Sequence, residues 1–220
     1  MNIQASPSED RGIAALTVND FKVYSVGIST GGVAEIRMAK ASPKRHIIAT
    51  TVDEEGVAFA QKFIHEKNLD NQIESKIEDV SQPLPYKDSY FDYAYARLVL
   101  HYLPKEALDK ALGELHRVLK PGHKLFVVVR SVNCPDAKDP NAIYDPKTGL
   151  TTCTHTDTQT GKTHNSVRYF HSEKSIRDHV VKAGFTVDYT KSYDERLFTD
   201  FMRTKLAPHD DNVIELVATK

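Results

Sequence analysis

The sequence predicts an α/β protein with a mostly parallel sheet and helices on both faces of that sheet. Segments with strand character alternate with helical segments over roughly the first 130 residues, as in sheets built from crossover units. The apolar run LFVVV adds a strand of the type that is buried on both faces. With 220 residues, 40% hydrophobic and 27% charged, the chain is expected to form a single domain, residues 1–220.

The first part of the chain contains two strand–helix units. Residues 21–26 are rich in β-formers and lead through the turn GISTGG into a helix predicted at residues 32–39. Residues 46–52 (HIIATTV) predict a second strand. Asp53 follows as a candidate N-cap for a helix at residues 54–67, where apolar residues recur at helical spacing.

The middle of the chain continues the alternation. Residues 73–78 predict a charged third strand, and residues 90–98 (YFDYAYARL) predict a fourth. Residues 104–119 give the clearest helix, and Pro121-Gly122 then turns the chain into the LFVVV strand at residues 124–130. The leucines on one face of that helix are Leu108, Leu112, Leu115 and Leu119.

The alternation stops after the LFVVV strand. Residues 131–165 lack a clear periodicity and are too long for an ordinary connection, so residues 131–171 are expected to form an insert that covers the substrate as a polar lid. A helix is predicted at residues 172–183. Residues 185–189 and 213–219 predict two last strands, which we expect to form an antiparallel closing pair.

Composition and charge exclude several classes of function. Lys and Arg number 29 and Asp and Glu 30, so no global basic field is available for nucleic acid or for a membrane surface. Cys134 and Cys153 cannot form a disulfide framework, and Cys153 with His155 has no second ligand pair, so no metal site is expected. The chain shows neither a signal peptide nor an apolar run long enough to span a bilayer, which favours a soluble, cytoplasmic protein.

The segment VYSVGISTG carries the first indication of a ligand site. Glycines after a strand let the backbone approach a ligand closely, and the next helix offers free N–H groups at its start. The middle position of the glycine pattern is Ser29, however. By itself, the motif is equally compatible with an ordinary strand-to-helix turn.

Several segments together resemble the class I S-adenosylmethionine-dependent methyltransferases, especially those that act on small molecules. VYSVGISTG is similar to the family's VLDLGCGTG, and HIIATTVDEEGVAFAQ looks like its second strand and helix. IEDVSQPLPYKDSYFDYAYARLVLHYL resembles the strand-four region, ELHRVLKPGHKLFVVV the RVLKPGG region, and RYFHSEKSIRDHVVKAGF the last helix. The resemblance covers most of residues 21–220 and implies a doubly wound, seven-stranded, Rossmann-like sheet with a closing antiparallel strand.

The resemblance also implies S-adenosyl-L-methionine as the cofactor and assigns roles to individual positions. The glycine turn would line the methionine end, Thr51 stands at the ribose position, and Asp79 matches the aspartate that binds the adenine amine. Arg97 would lie beside the sulfonium and the substrate. The implied cofactor-binding residues are Ser25, Gly27, Ser29, Gly31, Thr51, Val52, Asp53, Asp79, Val80, Ala96 and Arg97.

Two acidic residues of the family pattern are replaced in this chain. Ser25 stands near the end of strand one and Thr51 at the end of strand two, where the family has acids. A charge-assisted hydrogen bond contributes about 1.5–3 kcal/mol, so both losses together would weaken binding by roughly one to four powers of ten unless compensated. Asp53 could replace the acid at the ribose, and Asp20 or Glu35 could assist at the amino group.

Methyl transfer requires alignment of the nucleophile, exclusion of water and, for weak acids, removal of a proton. The catalytic candidates are His101, Arg168 and His171, and the substrate-binding candidates are Arg97, Tyr144, Arg168 and His171. In an extended RYFH segment, Arg168 and Phe170 would point opposite to Tyr169 and His171, so only one pair can face the cleft. For His101 the favoured alternative is a loop that merely packs under the following helix. For Arg168 a surface salt bridge is as good an interpretation as a role in the cleft.

The sequence therefore predicts a methyltransferase that acts on a small molecule, without nucleic-acid or membrane partners. The alternative is an inactive methyltransferase-fold protein that binds a ligand or a partner, which the changes at Ser25, Ser29 and Thr51 leave open. A nicotinamide-dependent enzyme would share the glycine turn, but the FD and RVLKPG segments argue against it.

Overall fold

The computed structural model of the protein describes residues 6–28, 30–156, 163–198 and 205–220. The strands are β1 (Lys22–Val26), β2 (His46–Thr51), β3 (Ile73–Ile77), β4 (Phe91–Arg97), β5 (Leu119–Arg130), β6 (Ile143–Tyr144), β7 (Thr151–Thr156), β8 (Thr163–Arg168), β9 (Thr186–Glu195) and β10 (Asp211–Thr219). The helices are α1 (Pro7–Ala14), α2 (Val33–Lys40), α3 (Glu54–Glu66), α4 (Lys105–Val118) and α5 (Glu173–Lys182).

Seven of the strands form one sheet in the order β3-β2-β1-β4-β5-β10-β9. Strands β1 to β5 run parallel, and β10 lies antiparallel between β5 and β9. The predicted fold class is thus confirmed: a doubly wound, mostly parallel sheet with an antiparallel strand near one edge. The chain order reverses between β1 and β4, where open α/β sheets place their ligand crevice.

Alternate residues of the central strands enter two separate cores, one on each face of the sheet. Tyr24 and Val26 pack with the leucine face of α4 and with α5 on one side. Val23 on β1, together with Tyr93 and Tyr95 on β4, packs with α2 and α3 on the other side. This sandwich of helices around a buried sheet follows from the near-continuous apolar character of β1, β4 and β5.

The N-terminal helix α1 was not predicted, because only its contacts with the sheet give it apolar surroundings. Gly12 allows close approach: a Cβ there would lie 2.5 Å from Tyr95 Cε2. The Tyr93 hydroxyl donates to the Gly12 carbonyl over 2.7 Å. Helix α1 therefore packs directly against β4.

The segment from residue 131 to 171 is more regular than the sequence predicts. Strands β6, β7 and β8 form a three-stranded antiparallel sheet of their own. Strands β7 and β8 are rich in Thr and other polar residues and lack the apolar alternation that identifies a strand, although Thr itself favours extended backbone. The lid function of this segment remains a prediction.

Two strand boundaries also differ from the sequence prediction. Strand β5 begins at Leu119, whereas Pro121-Gly122 was expected to form a turn before the strand. The register of its pairing with β4 is irregular between Phe91 and Tyr93. Strand β9 runs to Glu195, because its pairing with β10 carries a polar, half-exposed segment that has no apolar pattern of its own. No helix in the described part of the chain is long and apolar enough to cross a membrane.

Candidate active site

A cavity of about 520 Å³ lies at the carboxyl ends of β1, β2, β3 and β4. Its position is the one that the reversal of strand order predicts. Of the implied cofactor-binding residues, Gly27, Thr51, Val52, Asp53, Asp79, Val80 and Arg97 line it. Ser29 lies outside the described residues.

Gly27 forms the turn that follows β1, and the structure requires glycine at this position. Its φ is +71°, and a Cβ there would lie 2.6 Å from Val99 Cγ2. The next residue, Ile28, donates its N–H to the Thr50 carbonyl over 2.8 Å, which ties the turn to β2. Gly31 has a φ of 65° in the same connection but does not line the cavity.

Ser25 and Ala96 do not line the cavity, which corrects their assignment as contact residues. Ala96 is fully buried and packs in the core with α4. Ser25 is also fully buried, and its hydroxyl donates to Glu35 Oε1 over 2.6 Å. A buried carboxylate from the first turn of α2 therefore lies against Ser25 of β1.

The ribose position combines Thr51 with Asp53. Thr51 Oγ1 accepts the Asp53 N–H over 3.2 Å, and Asp53 Oδ1 accepts the Glu55 N–H over 3.1 Å as the N-cap of α3. One oxygen of Asp53 is therefore engaged in the cap that the sequence predicted. Beside them, Val52 is 69% exposed and offers an apolar face at the cavity edge.

A local turn fixes one of the two carboxylate oxygens of Asp79. Its Oδ1 accepts from Ser81 N over 2.9 Å and from Ser81 Oγ over 2.8 Å. Its Oδ2 accepts no hydrogen bond from the residues that the structure describes. A carboxylate that is fixed at one oxygen and available at the other is well suited to accept from an amine.

Glu78 also lines the cavity, although the sequence analysis did not select it. It accepts from the Tyr24 hydroxyl over 2.5 Å and from the Tyr86 hydroxyl over 3.1 Å. Burial raises the pKa of Tyr86 to about 12, and the nearby Glu78 charge contributes in the same direction. Its position next to Asp79 at the end of β3 was the available signal.

The rest of the cavity lining comes from four different parts of the chain. The residues are Ser6, Arg97, Leu98, Val99, His101, Tyr102, Leu103, Arg130, Leu197 and Phe198. Arg97 Nε donates to Ser8 Oγ over 2.6 Å, and Arg97 Nη2 lies 3.5 Å from Glu195 Oε1. This network joins the end of β4 to α1 and to the end of β9.

His101 lies in the single helical turn Leu100–Tyr102 between β4 and α4. It is 1% exposed, and neither ring nitrogen has a hydrogen-bond partner among the described residues. Burial lowers its pKa well below the ordinary value, and the charges of Arg130 and Arg168 lower it further. His101 is thus both packed before α4, as one alternative held, and part of the cavity wall.

The structure does not bring Tyr144, Arg168 or His171 to this cavity. Tyr144 is 60% exposed and lines a separate shallow pocket of the insert. Arg168 Nη1 lies 3.3 Å from Asp136 Oδ2, and both side chains are largely buried, so this ion pair is not the surface salt bridge that was the alternative.

The alternation expected along RYFH is present, but neither side of it faces the cavity. Phe170 packs with Cys134 and Cys153. On the other side, the rings of Tyr169 and His171 lie 4.1 Å apart, and burial lowers the pKa of His171 to about 3. Among the described residues, no group of three or more His, Cys, Asp or Glu side chains could hold a metal ion.

Comparison with known proteins finds a matching family model and several similar proteins. The model of a methyltransferase-domain family matches residues 24–127. The chain is 25% identical over 181 residues to a Shewanella ubiquinone/menaquinone biosynthesis C-methyltransferase UbiE, covering 79% of this chain and 70% of that protein. It is 52% identical over 46 residues to sterol 4-C-methyltransferase strm-1 of Caenorhabditis elegans, which is 21% of this chain but only 13% of that protein.

The fold comparison covers nearly the whole chain. A SAM-dependent methyltransferase of Methanosarcina mazei superimposes with a TM-score of 0.73 and covers 94% of this chain and 95% of its own. Sequence identity in that alignment is 21%, so the similarity establishes the shared fold.

Proposed function

We propose that the chain is a class I S-adenosylmethionine-dependent methyltransferase and that it transfers a methyl group from this cofactor to a small-molecule acceptor; the match of residues 24–127 to a methyltransferase-domain family supports the proposal. The observation that carries the proposal is one cavity lined by two chemically different sets of residues. One set, which we call the carboxylate end, is the Gly27 turn with the carboxylates of Asp53, Glu78 and Asp79. The other set brings guanidinium and imidazole groups beside apolar side chains; we propose that it contacts the acceptor and call it the acceptor end.

The carboxylate end suits the cofactor. S-adenosylmethionine, when bound, supplies a methyl group on a positively charged sulfur together with hydroxyl and amine donors. Asp79 Oδ2 is available for the adenine amine, with Val52 and Val80 as apolar neighbours of the ring. Thr51 and Asp53 can accept from the ribose hydroxyls, and the Gly27 turn lets the backbone approach the methionine part. Three carboxylates at this end also favour a cationic ligand.

The Ser25–Glu35 pair supports retained cofactor binding despite the altered motif. A class I methyltransferase that lacks both usual acids would lose one support of its glycine turn and one ribose ligand. Here Glu35 provides a buried carboxylate under the turn, and Asp53 provides one beside Thr51. The protein therefore has a physical substitute for each replaced acid.

A small acceptor is favoured over a macromolecule by the site and by the relatives. Leu103, Leu197 and Phe198 give the acceptor end an apolar lining, and the net charge of the chain is -1, which does not favour nucleic acid. The names of the Shewanella and Caenorhabditis relatives both refer to small molecules, a quinone and a sterol. We propose a cytoplasmic enzyme that needs neither nucleic acid nor membrane.

An inactive ligand-binding protein remains the second candidate, and one observation favours it. Asp53 uses Oδ1 to cap α3, so its support of the ribose would be weaker than that of a dedicated acid. Such a protein would bind the cofactor or its product weakly and transfer no methyl group.

A methyl-transfer assay tests the proposal. The protein is incubated with methyl-labelled S-adenosylmethionine and, separately, with small-molecule, RNA and protein fractions of a cell extract. We expect label to enter the small-molecule fraction, and to be lost when Asp79→Ala is used. Label in the RNA or protein fraction would contradict the small-molecule acceptor. Cofactor binding without label in any fraction would support the inactive protein.

A further inference from the structure

Strand β3 forms one edge of the seven-stranded sheet, where its neighbour is β2. The Gln72 carbonyl accepts a hydrogen bond from β2 over 2.8 Å, and the Glu78 N–H donates one to β2 over 3.0 Å. The even-numbered residues therefore face β2, because alternate residues of a strand direct their backbone groups to opposite sides. Ser75 and Ile77 direct theirs outward, along the open edge of the sheet.

The backbone groups along this open edge are available to another strand. Among the residues that the structure describes, one side chain reaches those of Ser75 and Ile77: Gln61 Nε2 donates to the Ser75 carbonyl over 3.5 Å. An edge of unpaired N–H and carbonyl groups is a template for pairing with a second chain. Which chain can pair there is decided by the side chains of β3.

The charged side chains of β3 are accessible from outside. Glu74 and Lys76 lie on one face of the strand, and their side chains form an ion pair of 2.9 Å in which Glu74 is 62% exposed. Residues 78–90, which connect β3 to β4, contain no helix, although a crossover between parallel strands usually does. A cavity of about 570 Å³, lined in part by Glu74, Ile48 and Tyr90, lies next to this face instead.

The sequence of β3, IESKI, is symmetric in chemical character about Ser75. An apolar residue stands at each end, and a carboxylate and an ammonium group flank the serine. If two copies of the strand pair antiparallel about Ser75, Glu74 of each copy lies directly opposite Lys76 of the other. Opposite charges at directly facing positions stabilise a strand pair, so β3 is complementary to itself.

The charges also select one register for this pairing. Outward residues must face outward residues, so allowed registers differ by steps of two positions. One step in one direction sets Glu74 opposite Glu74 of the other copy, and one step in the other direction sets Lys76 opposite Lys76. Like charges at directly facing positions destabilise a strand pair, so of these three registers the one centred on Ser75 is favoured.

We propose that two copies of this chain associate through β3, antiparallel and centred on Ser75, so that one sheet continues across a two-fold axis. Each Ser75 N–H then donates to the Ser75 carbonyl of the other copy, and each Ile77 N–H donates to the other copy's Ile73 carbonyl. The two-fold axis repeats every contact, including the pair of Glu74 with Lys76. This interface lies outside the proposed methyltransferase function and does not depend on it.

The first test measures the mass of the wild-type protein by sedimentation equilibrium from about 1 to about 200 µM, a range that covers weak and moderately tight homodimers. We expect a mass that reaches twice the chain mass of 24.7 kDa at the upper end of the range. Amide hydrogen exchange at Ser75 and Ile77 should be slower in the dimer than in the monomer, because both N–H groups are then paired. A mass of 24.7 kDa at every concentration would overturn the proposal.

The second test exchanges the charges of β3. Glu74→Lys and Lys76→Glu each set like charges opposite one another, twice per dimer, and each should raise the Kd of the dimer at least about tenfold. The combined variant Glu74→Lys/Lys76→Glu restores opposite charges in the same register and should return Kd to within about threefold of the wild-type value. The matched control, Asp178→Lys, reverses a charge in the exposed pair of Asp178 with Lys174 on α5 and should leave Kd unchanged.

The third test removes the outward N–H of the central residue with Ser75→Pro. No hydrogen bond to β2 is lost, since this N–H points away from β2, and proline is tolerated on edge strands. The variant should unfold in urea like the wild type and sediment as a monomer; a folded variant with the wild-type Kd would overturn the proposal. If Ser75→Pro does not fold, the charge variants decide. An unchanged Kd in both single variants, or no recovery in the combined variant, would show that the dimer uses another surface.

Discussion

The pairing of Ser25 with Glu35 predicts that a residue outside the cavity controls cofactor affinity. The Ser25 hydroxyl donates to Glu35 Oε1 over 2.6 Å, and both residues are fully buried. They join the end of β1 to the first turn of α2, on either side of the glycine turn. Changing Glu35 should therefore disturb the turn that we assign to the cofactor.

The size of the effect follows from the kind of hydrogen bond that is lost. A charge-assisted bond contributes about 1.5–3 kcal/mol and a neutral one about 0.5–1.5 kcal/mol, so Glu35→Gln should cost about 1–1.5 kcal/mol. If all of this appears in binding, affinity falls roughly five- to tenfold. Glu35→Ala also leaves the Ser25 hydroxyl buried and unpaired, for a total of about 3 kcal/mol or more.

The assay combines urea unfolding with calorimetric titration of S-adenosylhomocysteine. Glu35→Ala should lose more stability or affinity than Glu35→Gln. The control Glu55→Gln, which removes an exposed charge from α3, should change neither. The double variant Ser25→Asp/Glu35→Ser returns a carboxylate to β1 and should recover part of the affinity that Glu35→Ser loses. Wild-type stability and affinity in Glu35→Gln, or no recovery in the double variant, would refute the reasoning.

Three further predictions concern two cavity-lining residues, Asp79 and Gly27, and the buried His171. Asp79→Ala should weaken S-adenosylhomocysteine binding at least about tenfold by calorimetry, because one charge-assisted hydrogen bond contributes about 1.5–3 kcal/mol. The control variant Asp178→Ala, at an exposed position, should bind as the wild type does; equal affinities of the two variants would refute the adenine placement. Gly27→Ala should lower the free energy of unfolding by about 2–4 kcal/mol, from the positive φ and from the contact of the added Cβ with the Cβ and Cγ2 atoms of Val99. In a Val99→Gly background, which lacks those atoms, the same change should cost only the φ part; no cost in that background would contradict the role of φ. Burial lowers the pKa of His171 to about 3 in the folded protein. As the pH falls below the ordinary histidine pKa, the unfolded chain binds a proton at His171 and the folded protein does not, so the free energy of unfolding decreases. Between pH 7 and pH 5 this decrease is about 2 kcal/mol. The free energy of unfolding of His171→Gln, measured in urea at both pH values, should therefore decrease by about 2 kcal/mol less than that of the wild type; the same decrease in both proteins would contradict the prediction.

The fold could be predicted because its core elements carry strong local patterns. The leucines of α4, the apolar LFVVV of β5 and the glycine turn after β1 each identify their element without tertiary information. Helix α1 and strands β7 and β8 could not be found, since they are short and polar and depend on partners distant in sequence. Gly12 shows this dependence, because its role becomes apparent only where α1 contacts Tyr95.

Cavity-lining residues that directly follow the first three strands could be predicted from the sequence, and those from distant segments could not. Residues such as Asp79 and Thr51 follow strands directly, and the carboxyl ends of parallel strands meet at one edge of the sheet. Arg130 and Leu197 reach the cavity from β5 and from the segment after β9, and no local motif marks them. Glu35 was considered for the amino group, but its pairing with Ser25 requires the spatial approach of α2 to β1.

Calorimetric titration of the wild-type protein with S-adenosylmethionine and with S-adenosylhomocysteine tests the central claim most directly. The claim is that Glu35 and Asp53 replace the acids missing from the first two strands, so that the cavity still binds the cofactor. Micromolar affinity for either ligand is the predicted result. No binding up to millimolar concentration would contradict the claim and show that the replaced acids are not compensated.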